Sequence, residues 1–367
     1  MNDQRTTSGR QPVRRVAVLW EYLAGYIQAA LRELASHHGV DVLVVQRSRE
    51  QNASYALELG DRCQVFELPG GAPADALVSR IEAFAPDVTL ITTNKDPRYH
   101  AVAERNRQQG RLTVWGSEVP PRALWRDLRG IVRGWTGGLR AYDAALVAGA
   151  VSHRYARRIG FPEARIFEGL LTCDTAIFRP VGVARHAATS APWPSVFLFV
   201  GQFIPRKGLD TLLAAYARYR QTTTAPWALW CVGAGPWRSQ LDGHAGVHVH
   251  DFAPPAECAR LMGQSGVFVL PSRIDHWGVV IHEAACAGLP IIASRTSYAS
   301  ADLVTDGDNG CVFDAGDVDA LARALAACAD PDRARAMGAR SLAASARFDP
   351  TIFAEALTTR IPAAVHG

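Results

Sequence analysis

The sequence predicts an α/β fold built from two doubly wound domains that face a central cleft. Three observations predict it: a length of 367 residues, apolar runs that alternate with amphipathic segments, and one pause in that alternation near the middle. A chain of this length exceeds what one hydrophobic core usually serves, so two domains are expected. Alternating buried strands and helices are typical of parallel sheets covered on both faces.

In the first half, short apolar runs predict buried parallel strands. They are Val16–Trp20, Val40–Gln46, Val65–Leu68, Val88–Thr92 and Leu112–Trp115. Helical periodicity lies between them at Gly25–His37, Pro73–Ala85 and Pro97–Gln109, and the series continues through Ala141–Ala148, Val151–Ile159 and Arg165–Gly169. We predict a flexible tail over residues 1–14 and a first domain over 15–182.

The pattern pauses from Cys173 to Ser195, where sequence rich in Ala, Thr and Pro predicts a domain linker. Strands are then predicted at Val196–Val200, Trp227–Val232, Val247–His250, Val267–Leu270 and Pro290–Ser294. Helices are predicted at Leu209–Arg220, Trp237–Leu241, Pro255–Met262 and Gly278–Gly288, and others begin at Val318, Pro331 and Pro350. We therefore predict a second Rossmann-like domain over 183–345 and a C-terminal helix over 346–367 that packs back toward the first domain. Facing strand ends make a cleft that a hinge can close over two substrates.

Composition excludes several classes of protein. A hydrophobic fraction of 48% and a charged fraction of 20% are ordinary for a globular protein, and no apolar run reaches the ~18 residues of a membrane span. The net charge of +4 does not predict a nucleic-acid partner. The seven cysteines are scattered and the eleven histidines show no ligand spacing, so we expect free thiols in a reducing cytosol and no metal site.

The segment FVGQFIPRKG (Phe199–Gly208) contains the end of a predicted strand, followed by a turn at glycine. Arg206 and Lys207 then lie at the start of the next predicted helix. A helix N-terminus carries unpaired N–H groups and partial positive charge, so an adjacent lysine predicts an anion site. A diphosphate would fit there. The alternative is a basic turn in solvent, which helix electrostatics disfavours.

The segment PSRIDHWGVVIHEAACAGLP (Pro271–Pro290) places Asp275 in a loop and Glu283 just over one turn into the next helix. Gly278 lets backbone amides approach phosphate or sugar oxygens closely. Carboxylates accept hydrogen bonds from vicinal hydroxyls, so the two acids are candidates to bind a hexose and a ribose. The spacing is equally compatible with Asp275 as a helix cap and Glu283 as a surface acid.

Together these segments resemble family 4 of the retaining GT-B glycosyltransferases. FVGQFIPRKG is similar to the family's phosphate-binding segment, and VGAGP (Val232–Pro236) to its G-x-G-P turn. PSRIDHWGVVIHEAACAGLPIIAS is similar to its E-x7-E signature, and DTAIFRP (Asp174–Pro180) to the end of its N-terminal domain. The similarity runs from about Tyr142 to the C-terminus; before that, only the alternation of elements is similar.

The resemblance implies a metal-independent hexosyltransferase whose substrate is a UDP- or GDP-linked sugar and which needs no cofactor. Lys207 would contact the donor diphosphate, Glu283 the ribose hydroxyls and Asp275 a sugar hydroxyl; these three are the catalytic candidates. The remaining donor-binding candidates are Gln202, Arg206, Gly233, His276, Trp277, Gly278 and Val279. Asp275 stands where the family usually has Glu, and Gln202 where it more often has Arg; Arg206 either substitutes for that Arg or points to solvent.

The family's mechanism is a front-face displacement in which the leaving phosphate draws the acceptor proton and the anomeric configuration is retained. No side-chain nucleophile is required. Catalysis would then consist of orientation and of charge stabilisation by Lys207 and the helix N-terminus.

The first domain is expected to bind the acceptor, which is a glycan, a lipid-linked molecule or a small metabolite. Candidates that follow predicted strand ends are Glu21, Gly25, Tyr26, Asn94, Lys95 and Glu118. Lys95 would meet an acidic acceptor such as a lipid diphosphate, or it is a solvated loop lysine.

Residues 121–140 carry five arginines interleaved with apolar residues that include Trp125 and Trp135. Such a basic amphipathic helix either lies on the inner face of an anionic membrane or packs on the core with a solvated basic face. Both interpretations stay open. We expect a cytoplasmic protein, peripheral at the membrane under the first of them.

The sequence argues against one alternative function and leaves two others open. An NAD-dependent oxidoreductase would need G-x-G-x-x-G after its first strand, which the sequence after Trp20 lacks, and Gly233-Ala234-Gly235 has no third glycine. An inverting GT-B enzyme and a non-catalytic nucleotide-sugar-binding module remain alternatives.

Overall fold

The computed structural model describes residues 12–21, 23, 25–47, 59–92, 96–118, 132 and 139–366. Residues 1–11 of the predicted tail, Asn94, Lys95 and most of the basic segment 121–140 lie outside the described residues.

The first domain contains a sheet of seven parallel strands in the order β3-β2-β1-β4-β5-β6-β7. The strands are β1 Arg15–Leu19, β2 Asp41–Arg47, β3 Cys63–Leu68, β4 Val88–Ile91, β5 Leu112–Ser117, β6 Ala144–Val147 and β7 Ile166–Glu168. The described helices are α1 Gly25–Arg32, which continues as a π-helical turn Glu33–His37, α2 Ala74–Phe84, α3 Pro97–Gln108 and α4 Ala150–Ile159. Central strands such as Val88–Ile91 are buried throughout, because apolar side chains on both faces meet covering helices.

The second domain contains six parallel strands in the order β10-β9-β8-β11-β12-β13. They are β8 Val196–Val200, β9 Ala228–Val232, β10 Val247–His250, β11 Val267–Leu270, β12 Ile291–Ser294 and β13 Gly310–Phe313. Its helices are α6 Leu209–Thr222, α7 Pro255–Gly263, α8 Val279–Cys286, α9 Ser300–Leu303, α10 Val318–Cys328 and α11 Pro331–Ser345. The predicted pair of doubly wound sheets is confirmed. The helix predicted at Trp237–Leu241 is only a 3₁₀ turn at Arg238–Gln240, and β13 was not predicted.

The linker predicted between Cys173 and Ser195 contains a 13-residue helix, α5 Thr175–Ala187. Phe178 is buried, and Arg185 donates a hydrogen bond to the Ser265 carbonyl oxygen at 2.7 Å, so the helix packs on the second domain. Gly182 lies so close to α8 that a Cβ there would overlap the carbonyl oxygen of Cys286. The boundary predicted between residues 182 and 183 therefore falls inside a packed helix. The Ala-, Thr- and Pro-rich composition wrongly predicts a linker here, because the helix is stabilised by the packing of Gly182 and Phe178 and not by the overall polarity of the segment.

Replacing Gly182 by alanine is expected to destabilise the protein by about 1–3 kcal/mol, since overpacking displaces α5 from α8. Val183, one position later and 53% exposed, provides the matched control, for which alanine should change stability by less than about 0.5 kcal/mol. Thermal and urea unfolding of the two variants would measure the difference. Equal stability of both would mean that α5 is not held by this contact.

After α11 the chain crosses back to the first domain through α12 Pro350–Glu355, a π-helical turn Ala356–Arg360 and α13 Ile361–His366. The Arg360 guanidinium lies 5.4 Å from the centre of the Phe167 ring, and the Ile352 side chain packs on Gly169. The C-terminal helices thus join the two domains on the side where the chain also crosses at Thr172, whose hydroxyl donates to the Phe348 carbonyl oxygen at 2.5 Å. Among the described helices, none combines the length and the apolar character that crossing a membrane would need.

Candidate active site

A cavity of about 600 Å³ lies between the two domains, at the carboxyl ends of both sets of strands. Its volume suits a small-molecule ligand. The cavity wall brings together most of the residues predicted from the sequence. These are Tyr26, Glu118, Gln202, Arg206, Lys207, Asp275, His276, Trp277, Gly278, Val279 and Glu283.

Lys207 reaches the cavity through a tightly constrained turn. Strand β8 ends at Val200, a 3₁₀ turn spans Pro205–Lys207, and Gly208 with φ +70° precedes α6. A Cβ at Gly208 would overlap the carbonyl oxygen of Pro271, so this close approach requires glycine. Lys207 is only 8% exposed, and its ammonium forms an ion pair with the Asp275 carboxylate.

Asp275 is held from several directions. Besides Lys207, its carboxylate lies 3.7 Å from Arg206 Nη1 and 3.4 Å from the Ser272 hydroxyl. Its backbone N–H donates to the Thr296 carbonyl oxygen at 2.9 Å. The carboxylate therefore offsets part of the positive charge at the start of α6, a feature absent from the sequence prediction.

Glu283 lies in the second turn of α8, which begins at Val279 after Gly278 with φ +88°. Its side chain is partly exposed to the cavity, and within the described part of the chain no group donates a hydrogen bond to its carboxylate. Burial raises the pKa of Glu283 to about 7, and the neighbouring His282 opposes that shift. An enclosed carboxylate without donors is suited to accept hydrogen bonds from ligand hydroxyls.

One pair of residues spans the cleft. His276 Nδ1, from the second domain, lies 3.5 Å from Glu118 Oε1, at the end of β5 in the first domain. Tyr26 lines the same side of the cavity as Glu118. The carboxylate of Glu118 thus faces the loop 275–278 of the second domain from the first-domain side of the cavity.

Three predicted site residues lie outside the cavity. Glu21 forms an ion pair with Arg47 at 3.5 Å, and Gly25 begins α1; neither lines the cavity. Gly233 does not line it either, because its Cα packs on the carbonyl oxygen of Gly201, so its glycine serves chain packing. Trp277 does line the cavity, but its indole is buried and packs on Phe348, with ring centres 4.9 Å apart, so the side chain itself is not available to a ligand.

Sequence reasoning missed the apolar part of the wall. It is formed by Leu171, Val200, Gly201, Phe252, Ala253, Pro255, Cys258 and Val280. Phe252 follows the end of β10, so the same rule that selected residues after strand ends would have found it.

Cys173 forms a fully buried cluster with His282 and Cys286 of α8. The sulfur and ring nitrogen atoms that could bind a metal ion lie within 4.8 Å of one another. The imidazole is already engaged at both nitrogens: Nδ1 accepts from the Cys173 N–H at 3.1 Å, and Nε2 lies 2.9 Å from the Ser345 carbonyl oxygen. The two sulfur atoms lie 3.7 Å apart. These contacts describe a hydrogen-bonded core in which the imidazole has no lone pair left for a metal ion.

Residues 194–330 match the family model described as Glycosyl transferases group 1. The chain is 34% identical over 158 residues to the GDP-mannose-dependent alpha-(1-6)-phosphatidylinositol monomannoside mannosyltransferase of Mycolicibacterium smegmatis, covering 39% of this chain and 41% of that protein. It is 29% identical over 208 residues to the D-inositol 3-phosphate glycosyltransferase of Segniliparus rotundus, covering 53% of this chain and 46% of that protein. The matched regions span less than half the length of these relatives.

Solved structures match over nearly the whole chain. Sucrose-phosphate synthase from Thermosynechococcus elongatus superposes with a TM-score of 0.70 at 19% identity, covering 93% of this chain and 96% of that one. Anabaena HepE, solved in complex with UDP, superposes with a TM-score of 0.71 at 17% identity, covering 94% and 98%. The fold is GT-B.

Proposed function

We propose that this protein is a retaining glycosyltransferase that moves a hexose from a UDP- or GDP-linked sugar to a hydroxyl of a glycan, a lipid-linked molecule or a small metabolite. The observation that carries the proposal is the composition of the interdomain cavity. Lys207, Arg206 and the start of α8 all line it, and the Glu283 carboxylate opens onto the same space. A diphosphate next to a ribose would match these groups in charge and in hydrogen bonding.

The proposed chemistry needs no protein nucleophile. Lys207 and the amides of Gly278 and Val279 would stabilise the charge that develops on the leaving diphosphate, and the acceptor hydroxyl would approach from the side of Tyr26 and Glu118. Since these groups supply positive charge to the diphosphate, we propose that no cofactor and no metal ion is needed. The free state of all seven cysteines supports a cytosolic location.

A donor panel tests this function directly. GDP-mannose, UDP-glucose and related nucleotide sugars would be incubated with the full chain, and nucleotide release would be measured with and without glycan, inositol-phosphate or lipid-linked acceptors. We expect one donor to give acceptor-dependent release that persists in EDTA, and an α-linked product from an α-linked donor by NMR. Binding without release across the panel would favour a non-catalytic module, and an inverted product would overturn retention.

A further inference from the structure

Asp302 lies between the two domains and contacts both the first domain and the loop 275–278 of the second domain, which we call the donor loop. It belongs to α9 of the second domain, and its side chain is 7% exposed. Its Oδ1 accepts a hydrogen bond from the backbone N–H of Ala150 at 2.9 Å, and its Oδ2 accepts one from Trp277 Nε1, also at 2.9 Å. One carboxylate therefore binds the first domain with one oxygen and the donor loop with the other.

The contact with Ala150 is a helix cap supplied by the opposite domain. Ala150 is the first residue of α4, and Gly149 before it has no side chain that could cap the helix. A Cβ at Gly149 would overlap the Asp302 carboxylate, so glycine leaves the space that this side chain occupies. Because a helix N-terminus favours a carboxylate, the observed arrangement of the domains satisfies both groups at once.

The contact with Trp277 reaches the donor site. Trp277 lies two residues after Asp275 and directly before Gly278, which caps α8. Its carbonyl oxygen accepts from the Ala299 N–H at 2.7 Å, so the loop is bound to the region of α9 by its main chain as well as by its indole. Arg347 Nη1 donates to the Asp302 carbonyl oxygen at 3.1 Å and places a positive charge near the buried carboxylate.

We propose that Asp302 is a positioning residue that couples closure of the two domains to the geometry of the donor loop 275–278. If the domains open, Ala150 moves away and water takes its place at Oδ1, so the carboxylate is no longer fixed from the first domain and can turn toward solvent and away from Trp277. Opening therefore disfavours the orientation of Asp302 that holds Trp277, and closure restores it. The catalytic part of this inference rests on the proposed transferase activity.

The kinetic test uses Asp302→Asn and Trp277→Phe. An asparagine has a single acceptor oxygen, so its amide N–H₂ group would face one of the two donors, whereas phenylalanine keeps an aromatic ring beside Phe348 but removes the indole N–H and part of the ring volume. Each variant should lower kcat roughly 10- to 100-fold, while the Kd for UDP or GDP by calorimetry stays within about threefold of wild type. The double variant should be no slower than the slower single variant, since both break one connected contact.

The matched control is Asp330→Asn, an exposed helix cap on α11 whose oxygen accepts from the Arg333 N–H at 2.7 Å and which should keep wild-type kcat.

A second arm does not depend on transfer. Small-angle scattering with saturating UDP or GDP should give a larger radius of gyration for Asp302→Asn and for Gly149→Ala than for wild type and Asp330→Asn. A wild-type kcat in Asp302→Asn together with a wild-type radius of gyration would overturn the coupling, even if its Tm fell, because the contact would then be packing alone. If no donor is turned over by wild type, the proposed function fails, but the scattering still decides whether Asp302 controls closure.

Discussion

Replacing Lys207 by alanine is expected to lower kcat by about two to three orders of magnitude, the usual loss when one preorganised charge-stabilising group is removed from a transition state. Lys207 is a buried ammonium that lines the cavity together with the start of α8, and under the proposed function charge develops on the leaving diphosphate in the transition state. The measurement is the single-turnover rate with the donor that the panel identifies. A near-normal rate would remove Lys207 from the mechanism.

The ion pair with Asp275 means that this variant should also lose stability. Breaking a buried pair by removing one partner costs about 3–5 kcal/mol, because the remaining charge is left without compensation. Here Arg206 and Ser272 remain 3.7 Å and 3.4 Å from the carboxylate, so the lower end of that range is expected. A fall in Tm alone would therefore not show that Lys207 is catalytic.

A double variant, Lys207→Ala with Asp275→Asn, separates the two effects. Neutralising Asp275 removes the stranded charge, so Tm should recover most of what Lys207→Ala lost. The single variant Asp275→Asn provides the reference rate, and the double variant should remain at least about tenfold slower than it. Recovery of both Tm and rate in the double variant would mean that Lys207 acts only by balancing Asp275.

The elements that the sequence predicted correctly are those whose own residues show a continuous apolar run or a helical periodicity. Strands such as Val267–Leu270 are continuous apolar runs, because parallel strands are covered on both faces. Helix α5 lacked such a signal: it contains Pro180 within the helix, and what holds it is the fit of Gly182 against a residue more than a hundred positions away. Segments stabilised by tertiary packing rather than by their own periodicity were the ones missed.

The same distinction applies to the site. Lys207, Asp275 and Glu283 were selected because they lie in two strand–loop–helix segments that resemble motifs of a known family, and the structure places all three on the wall of one cavity. The pairing of Lys207 with Asp275 joins residues 68 positions apart, and the Asp302–Ala150 contact joins residues 152 apart, so neither is visible in spacing. Gly233 was predicted to bind the donor, but the space beside its Cα is filled by the Gly201 carbonyl group. A glycine pattern does not say whether a ligand or a neighbouring carbonyl group fills that space.

Replacing Glu283 by glutamine is expected to remove a pH dependence from donor binding. With a pKa of about 7, the carboxyl group is mostly neutral at pH 6 and mostly ionised at pH 8. Ribose hydroxyls donate to the ionised form and stabilise it, so wild type should bind an intact nucleotide sugar about tenfold more weakly at pH 6 than at pH 8. The intact sugar is the right ligand, since its diphosphate is esterified at both ends and does not itself titrate in this range. Calorimetry should show a nearly constant Kd for Glu283→Gln, and an equal slope in both proteins would exclude Glu283 as the titrating group.

The unliganded protein gives an independent check with the opposite sign. A carboxyl group whose pKa is raised on folding contributes stability that is fully present below its unfolded value, near 4.5, and that is lost as the pH rises through about 7. Wild type should therefore lose up to about 3 kcal/mol relative to Glu283→Gln between pH 4.5 and pH 8, so the variant should have the higher Tm at pH 8 and a similar Tm near pH 4.5. Tighter donor binding and lower stability would thus appear together in wild type as Glu283 ionises. That combination is expected of a binding group whose charge is poorly solvated until the ligand arrives, whereas a surface acid would show neither effect.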